Sequence, residues 1–159
     1  MTNELQAYLD AVRRCLAQCS DMRTRELEKR DAILHGQAEL LGKIVAQEQA
    51  DMMRLDSLES ARIETQHAAG FADMTAEEIL KAMPESADKQ TIQPVIRELC
   101  ATVAEVQKLN RESMELARQE LMIFGDNSPL QATDSSPTYH RGQKKTSEWT
   151  PRRSFEEKI

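Results

Sequence analysis

Residues 3–35, which lie in the longest stretch without proline or glycine, most constrain the fold of this chain. Its first half carries apolar residues at helical spacing: Leu5, Tyr8, Leu9, Val12, Leu16 and Cys19. The apolar stripe weakens where Arg23, Glu26 and Arg30 fall near it, and it recovers at the end of the stretch. An uninterrupted pattern of this period predicts one helix, roughly 45 Å long, that ends before Gly36.

Two more long helices follow from the same reasoning. The second is predicted over residues 38–69, with Gly70 as its C-cap. Its apolar seam consists of Leu41, Ile44, Val45, Met52, Leu55 and Leu58. The third is predicted to begin with Pro94 in its first turn, where a missing N–H costs nothing, and to run to Phe124, with Gly125 as its stop.

A short helix is predicted between the second and third long helices. Thr75 and Glu78 have the spacing of a capping box, in which each side chain satisfies the other's free backbone N–H, and Pro84 closes the segment. The predicted fold is all-α, an antiparallel bundle of three long helices with one short connecting helix. Residues 1–125 form this helical domain. Residues 126–159, polar and without a sustained period, are predicted to be a disordered C-terminal tail.

Charge and composition limit the partners and the compartment. The net charge of −6 argues against nucleic acid, because an acidic chain repels phosphate backbones. No apolar run approaches the length of a membrane span, and charged residues interrupt any signal-like segment at the N-terminus. Three cysteines in helical context are typical of reduced thiols, so a cytoplasmic protein is predicted.

No catalytic, cofactor-binding or metal-binding pattern is present in the sequence. The five glycines are never clustered into a phosphate-binding loop, and the histidines stand singly at 35, 67 and 140. Cys15 and Cys19 lie on one helix face with no third ligand nearby, which favours buried thiols over a metal site. The sequence therefore predicts a protein that binds another protein and is not an enzyme.

Charged residues occur in the seam of the second helix. Glu48, Glu59 and Arg62 fall in line with its apolar residues. One interpretation is a partly exposed seam in which Glu59 and Arg62 form a local ion pair. The other is a buried polar layer that sets the register of the helices.

The third helix carries more apolar residues than one core face needs. A stripe for the bundle core consists of Ile92, Ile96, Leu99, Val103, Val106, Ala117, Leu121 and Phe124, and it also contains Asn110 and Ser113. A second row, Leu109, Leu116 and Ile123, lies about 100° around the helix. The row indicates an exposed groove for a partner helix, a wider bundle contact, or self-association. The predicted partner-binding residues are Leu109, Asn110, Ser113, Met114, Leu116, Leu121 and Ile123.

Three stretches resemble the FlgN family of flagellar type III export chaperones. Residues 48–62, EQADMMRLDSLESAR, are similar to a family segment that closes with Glu-x-x-Arg. Residues 106–121, VQKLNRESMELARQEL, resemble the family's Leu-Asn-x-x-Asn-x-x-Leu helix, with Ser113 in place of the second Asn. In the tail, TYHRGQ and RRSFEEKI resemble the endings of Gram-positive members.

The resemblance implies a chaperone that holds the terminal amphipathic helices of the hook–filament junction proteins. It would prevent their premature assembly and deliver them to the cytoplasmic domain of the export gate. The resemblance assigns gate docking to a tyrosine in the tail, here Tyr139. Trp149 and Phe155 are isolated aromatics in a polar segment, typical of short docking motifs, and can join it or cover the client site.

Other functions fit the same residues. A structural coiled-coil protein would use the extra row to form a homo-oligomer, and a regulatory adaptor would sequester another factor. A chaperone for another exported flagellar subunit is the nearest alternative within the binding class. The sequence alone does not separate these from the first interpretation.

Overall fold

A computed structural model describes the backbone of residues 1–126 and the side chains of residues 1–123. It contains four helices: α1 (Asn3–Leu34), α2 (Ala38–Ala68), α3 (Ala76–Ala82) and α4 (Ala87–Asp126). The described residues contain no strand, so the prediction of an all-α fold is confirmed for this part of the chain. The predicted tail, residues 126–159, lies almost entirely outside the described residues.

The ends of α1 and α2 share one backbone arrangement. Gly36 and Gly70 have φ angles of 63° and 87°, in the left-handed region that glycine enters without a Cβ clash. After α2, the Gly70 N–H donates to the His67 carbonyl and the Phe71 N–H donates to the Gln66 carbonyl. These two bonds form a Schellman motif, which satisfies carbonyls that the helix itself leaves free. Both predicted helix ends are therefore confirmed.

The capping box of α3 is also confirmed. The Thr75 hydroxyl accepts from the Glu78 N–H at 3.3 Å, and the Thr75 N–H donates to the Glu78 carboxylate at 2.7 Å. α3 ends at Ala82, two residues before Pro84. Its buried side chain is Ile79, which ties this short helix to the core.

The predicted start of the third long helix is wrong. α4 begins at Ala87, and Pro94 lies inside it. The Ser86 hydroxyl accepts from the Lys89 N–H at 3.3 Å, which caps the added turns. Ile92 lies in these added turns and is fully buried, so its apolar side chain packs in the core and contributes to the stability of the longer helix.

α1 packs against both other long helices, whereas α2 and α4 both pack on α1 rather than closely on each other. α1 and α2 run in opposite directions, since Gln18 reaches the Asp51 carbonyl and Lys29 reaches Glu48. α1 and α4 run in the same direction. Arg23 pairs with Glu105 and Arg30 pairs with Glu112, both at a constant offset of 82 residues.

The apolar core occupies the part of the bundle near the N-terminus of α1. Its most buried large side chains include Leu9, Val12, Ile79 and Ile92. The Tyr8 and Phe71 rings lie 6.1 Å apart at 56°, a tilted contact that joins α1 to the connection after α2. Burying each large aliphatic side chain contributes about 1.5–3 kcal/mol, so this cluster supplies most of the packing energy of the bundle.

Glu59 and Arg62 in the seam of α2 are buried, with 6% and 5% of their surfaces exposed. The interpretation of a partly exposed seam is therefore wrong for these two residues. The Arg62 guanidinium donates to Gln66 at 2.7 Å, and the Gln66 amide donates to the carbonyls of Phe71 and Met74. This chain of bonds fixes the connection between α2 and α3 against the core.

Candidate partner-binding site

The C-terminal end of α4 extends beyond the end of α1. The offset of 82 residues places Leu34, the last residue of α1, level with Leu116. Residues of α4 beyond this level have only the last turn of α1 and the turn after it nearby, and at the end of α4 little of α1 covers them. Leu121, Met122 and Ile123 are accordingly 74%, 74% and 58% exposed. These three consecutive residues spread apolar groups around the exposed end of the helix, and exposed apolar groups of this size mark candidate binding surfaces.

The second row on α4 does not lie on one exposed face. Leu109 is buried at 8% exposure, Leu116 is half-buried, and Ile123 is exposed. The row turns toward α1, as the ion pairs of Glu105 and Glu112 with α1 indicate. Leu109 is covered because α1 is still beside it, whereas Ile123 lies past the end of α1. The expectation of an exposed row is wrong for Leu109.

The core stripe predicted that Leu121 would be buried, and this prediction is wrong. Leu121 instead lines an open groove. The groove has a volume of about 270 Å³ and lies between α4 and the turn that joins α1 to α2. Its wall includes Ile33, Leu41 and Ala117, and Glu120 is its one charged lining residue. Ile33 and Leu41 were assigned to their own helix seams, and no feature of the sequence placed them opposite Leu121. The side chain of Phe124 lies outside the described residues.

Three other predicted site residues face the bundle more than the solvent. Asn110 accepts a hydrogen bond from the Lys29 ammonium at 3.2 Å, and Ser113 is only 1% exposed. Met114 is half-buried. The burial of Ser113 and the contact of Asn110 with Lys29 agree with the core stripe to which both residues were assigned, and their contact with a partner stays a prediction.

A buried ionic layer separates the apolar core from the exposed end of α4. The Lys29 ammonium donates to Glu26 at 2.9 Å and lies 2.7 Å from the Glu48 carboxylate. Arg25 pairs with Asp51 on the next turn. Burial raises the pKa of Glu26 to about 7; the hydrogen bond and charge of Lys29 act in the opposite direction, and neighbouring Glu48 adds to the rise.

The weakening of the α1 stripe near Glu26 was the sequence signal for this layer. The sequence placed Glu48 in a seam but did not identify its partner. The sequence did not predict a role for Lys29, because its contacts with Glu48 on α2 and Asn110 on α4 exist only in the folded bundle.

The thiols follow their prediction. Cys15 and Cys19 are free and buried, and burial raises their pKa values to about 11 and about 12. Cys100 is free and half-buried. Among residues 1–123, no group of three or more His, Cys, Asp or Glu is arranged to hold a metal ion. Tyr139, Trp149 and Phe155 lie outside the described residues.

In its described part the chain is a helical protein with an exposed apolar helix end, a surface typical of proteins that bind other proteins. The family described as FlgN protein matches residues 1–144. The chain therefore belongs to the FlgN family, which is a family of flagellar export chaperones and not of enzymes. No curated protein and no solved structure gives a significant match. Among the described helices, none is long and apolar enough to cross a membrane.

Proposed function

We propose that this protein is a cytoplasmic flagellar export chaperone for the hook–filament junction proteins. It binds their terminal amphipathic helices, prevents premature assembly and delivers them to the type III export gate. The observation that carries the proposal is the exposed apolar end of α4 beside the groove at the α1–α2 turn. Membership of the FlgN family supports the chaperone role and the flagellar context.

The chemistry of this surface suits an amphipathic helix. A partner helix places apolar residues along one side, and a groove lined by leucine, isoleucine and alanine accepts them. Met122 adds a flexible side chain that can repack against different partner shapes. The exposed surface is short, so it fits two or three turns of a partner helix rather than a long coiled coil.

The partner surface is revised from the sequence prediction. Leu116, Leu121 and Ile123 remain in the proposed contact, and Met122, Ile33 and Leu41 join it. Met114 can contribute from the edge of the groove. Leu109, Asn110 and Ser113 support the helix from inside the bundle and contact a client only if the bundle opens.

The tail is proposed to contact the export gate. Tyr139 carries this role by resemblance, and Trp149 and Phe155 are the other aromatic residues of the segment. Six Lys or Arg and five Asp or Glu are interspersed with them, which suits docking on a polar surface. Removal of residues 127–159 is expected to abolish binding to the purified cytoplasmic domain of the gate and to leave client binding intact.

The test of the client site uses the purified junction proteins and a double substitution, Leu121→Asp with Ile123→Asp. We expect client affinity to fall by at least about tenfold, because two charges are placed in an apolar contact. Met53→Asp is the matched control, since Met53 is 75% exposed on α2 away from the groove. Equal affinity of the double variant and the wild type would overturn the proposed site.

A homo-oligomer is the competing outcome, because the exposed end of α4 could pair with a second copy. Light scattering of the wild type and of the double variant distinguishes the two cases. A monomeric wild type that binds the junction proteins supports the chaperone. A stable oligomer that the double variant dissociates, with no affinity for the junction proteins, would favour self-association.

A further inference from the structure

We infer that the cavity beside Glu26 and Glu48 binds a cationic side chain, lysine or arginine, carried by the partner helix. The inference rests on the proposed function, and it adds a specificity contact to an otherwise apolar surface. The cavity lies next to the ionic layer, on the side where α2 and α4 face each other across α1.

The cavity has the size and the lining for a charged head group. Its volume is about 40 Å³, and it is lined by Met22, Glu26, Glu48, Asp51, Met52, Val106 and Asn110. One water needs roughly 10–15 Å³ in this measure, so an ammonium or guanidinium group fits. Glu48 keeps 21% of its side chain exposed, which leaves the cavity reachable from solvent.

The charges around the cavity do not balance. Three carboxylates, Glu26, Glu48 and Asp51, face two cations, Arg25 and Lys29. Lys29 has no donor to spare, since its ammonium already meets Glu26, Glu48 and Asn110. Arg25 is engaged by Asp51. One carboxylate therefore has no cation of its own in this layer, and Glu26, whose pKa is raised to about 7, holds a proton in its place as the pH falls below that value.

One carboxylate oxygen is open to a new donor. Glu26 is 7% exposed, and its Oε2 atom accepts no hydrogen bond from a nitrogen donor in the described part of the chain. The Glu26 carboxyl also meets the Glu48 carboxylate, a contact that is a hydrogen bond only while one of the two holds a proton. A buried carboxylate oxygen without a donor is costly, and a cationic donor satisfies it more strongly than a neutral one. The carboxylates are not grouped as metal ligands in the described residues, so a side-chain cation suits the cavity better than a metal ion.

The cavity and the apolar groove lie along one line. Glu26 and Ile33 are seven residues apart on α1, which corresponds to about 10 Å along the helix axis. On α2 and α4, Val45 and Met114 lie in sequence between the residues that line the cavity and those that line the groove. Val45 is 43% exposed. A partner helix that places apolar residues near Leu121 therefore brings a residue about two turns away to the cavity.

Binding of a cation has a pH signature. The groups that face Glu26 are Lys29 on α1, Glu48 and Asp51 on α2, and Asn110 on α4. Because the pKa of Glu26 is raised to about 7 in the free protein, a partner cation must displace its proton below that pH. Affinity for a cationic helix therefore rises between pH 6 and pH 8.

The test uses synthetic amphipathic helical peptides that copy the terminal helix of a junction protein. The peptides form a series in which a single lysine is moved from position to position along the edge of the apolar face. For each peptide, a matched peptide has glutamine in place of the lysine. At one of these positions we expect the lysine peptide to bind the wild-type protein about tenfold more tightly at pH 8. The preference should shrink at pH 6.

Glu26→Gln should abolish both the lysine preference and its pH dependence, and Glu48→Gln should weaken the preference. Glu28→Gln is the matched control, because Glu28 is an exposed acid two residues away on α1. Glu26→Gln removes a buried charge, so a retained fold is expected and is checked by circular dichroism.

Three outcomes overturn the inference. If the wild type binds lysine and glutamine peptides equally at every position, the cavity takes no cation, although the proposed function stands. If Glu26→Gln keeps the lysine preference, the cation binds elsewhere. If neither the peptides nor the purified junction proteins bind, the proposed function fails and the cation site fails with it.

Discussion

The Lys29 ammonium on α1 lies 2.7 Å from the Glu48 carboxylate on α2, at the level where the interior of the bundle changes from apolar to ionic. The same ammonium also reaches Glu26 and Asn110, so one cation joins all three long helices. Such a group stabilises one register of the helices, because any slip would leave buried charges unpaired.

Lys29→Met should destabilise the protein by about 3 kcal/mol at pH 7, since buried Glu26 and half-buried Glu48 would lose their shared cation. Urea unfolding measures the change. Lys43→Met is the control. Lys43 forms an exposed pair with Glu39, and its loss should change the free energy of unfolding by about 0.5 kcal/mol or less. A similar loss in both variants would contradict a structural role for the ionic layer.

The raised pKa of Glu26 makes stability depend on pH. The folded protein holds the proton up to about pH 7, whereas the unfolded chain releases it near its ordinary value of 4.5. The contribution of Glu26 to the free energy of unfolding is thus fully present below pH 4.5 and is lost as pH rises to 7. We expect a change of about 1–2 kcal/mol, because water reaches part of the cavity and weakens the effect.

Glu26→Gln isolates this dependence. The variant should unfold at a higher urea concentration than the wild type at pH 8, and the difference should shrink toward pH 5. If the difference in unfolding free energy between the variant and the wild type is the same at pH 5 and pH 8, Glu26 titrates in the folded state as it does in the unfolded chain.

The three thiols should differ in reactivity. Cys15 and Cys19 are buried and have pKa values raised to about 11 and about 12, so little thiolate forms at pH 8. Cys100 is half-buried, and a thiol reagent reaches it more easily. Alkylation of the native protein followed by peptide mass mapping should find Cys100 modified first. Unfolding in urea should make all three react at similar rates.

Thr75→Ala should cost about 1 kcal/mol, because it removes the capping hydroxyl at the start of α3. α3 carries buried Ile79 against the core, so the loss should appear in global unfolding. Thr24→Ala is the control, since Thr24 lies exposed within α1 and alanine is a better helix former. A larger loss for Thr24→Ala would contradict the capping role.

Much of the local structure was predictable from the sequence. Gly36, Gly70 and the Thr75–Glu78 box marked helix ends that the structure reproduces. Pro94 misled the prediction, because proline at a first turn is common, although the place of Ile92 in the core stripe already pointed to an earlier start. The site was predicted only in part: Leu121 and Ile123 are exposed, whereas Leu109 is covered.

The sequence by itself determined that the chain forms three long helices and one short one, most of the helix ends and the family, because each depends on residues close together in the chain or on their order. Only the tertiary structure decided which apolar residues remain uncovered. Exposure depends on what lies opposite, and α1 ends level with Leu116 while α4 continues. The second row of α4 is therefore buried at Leu109 and exposed at Ile123. Helical periodicity alone does not predict this difference.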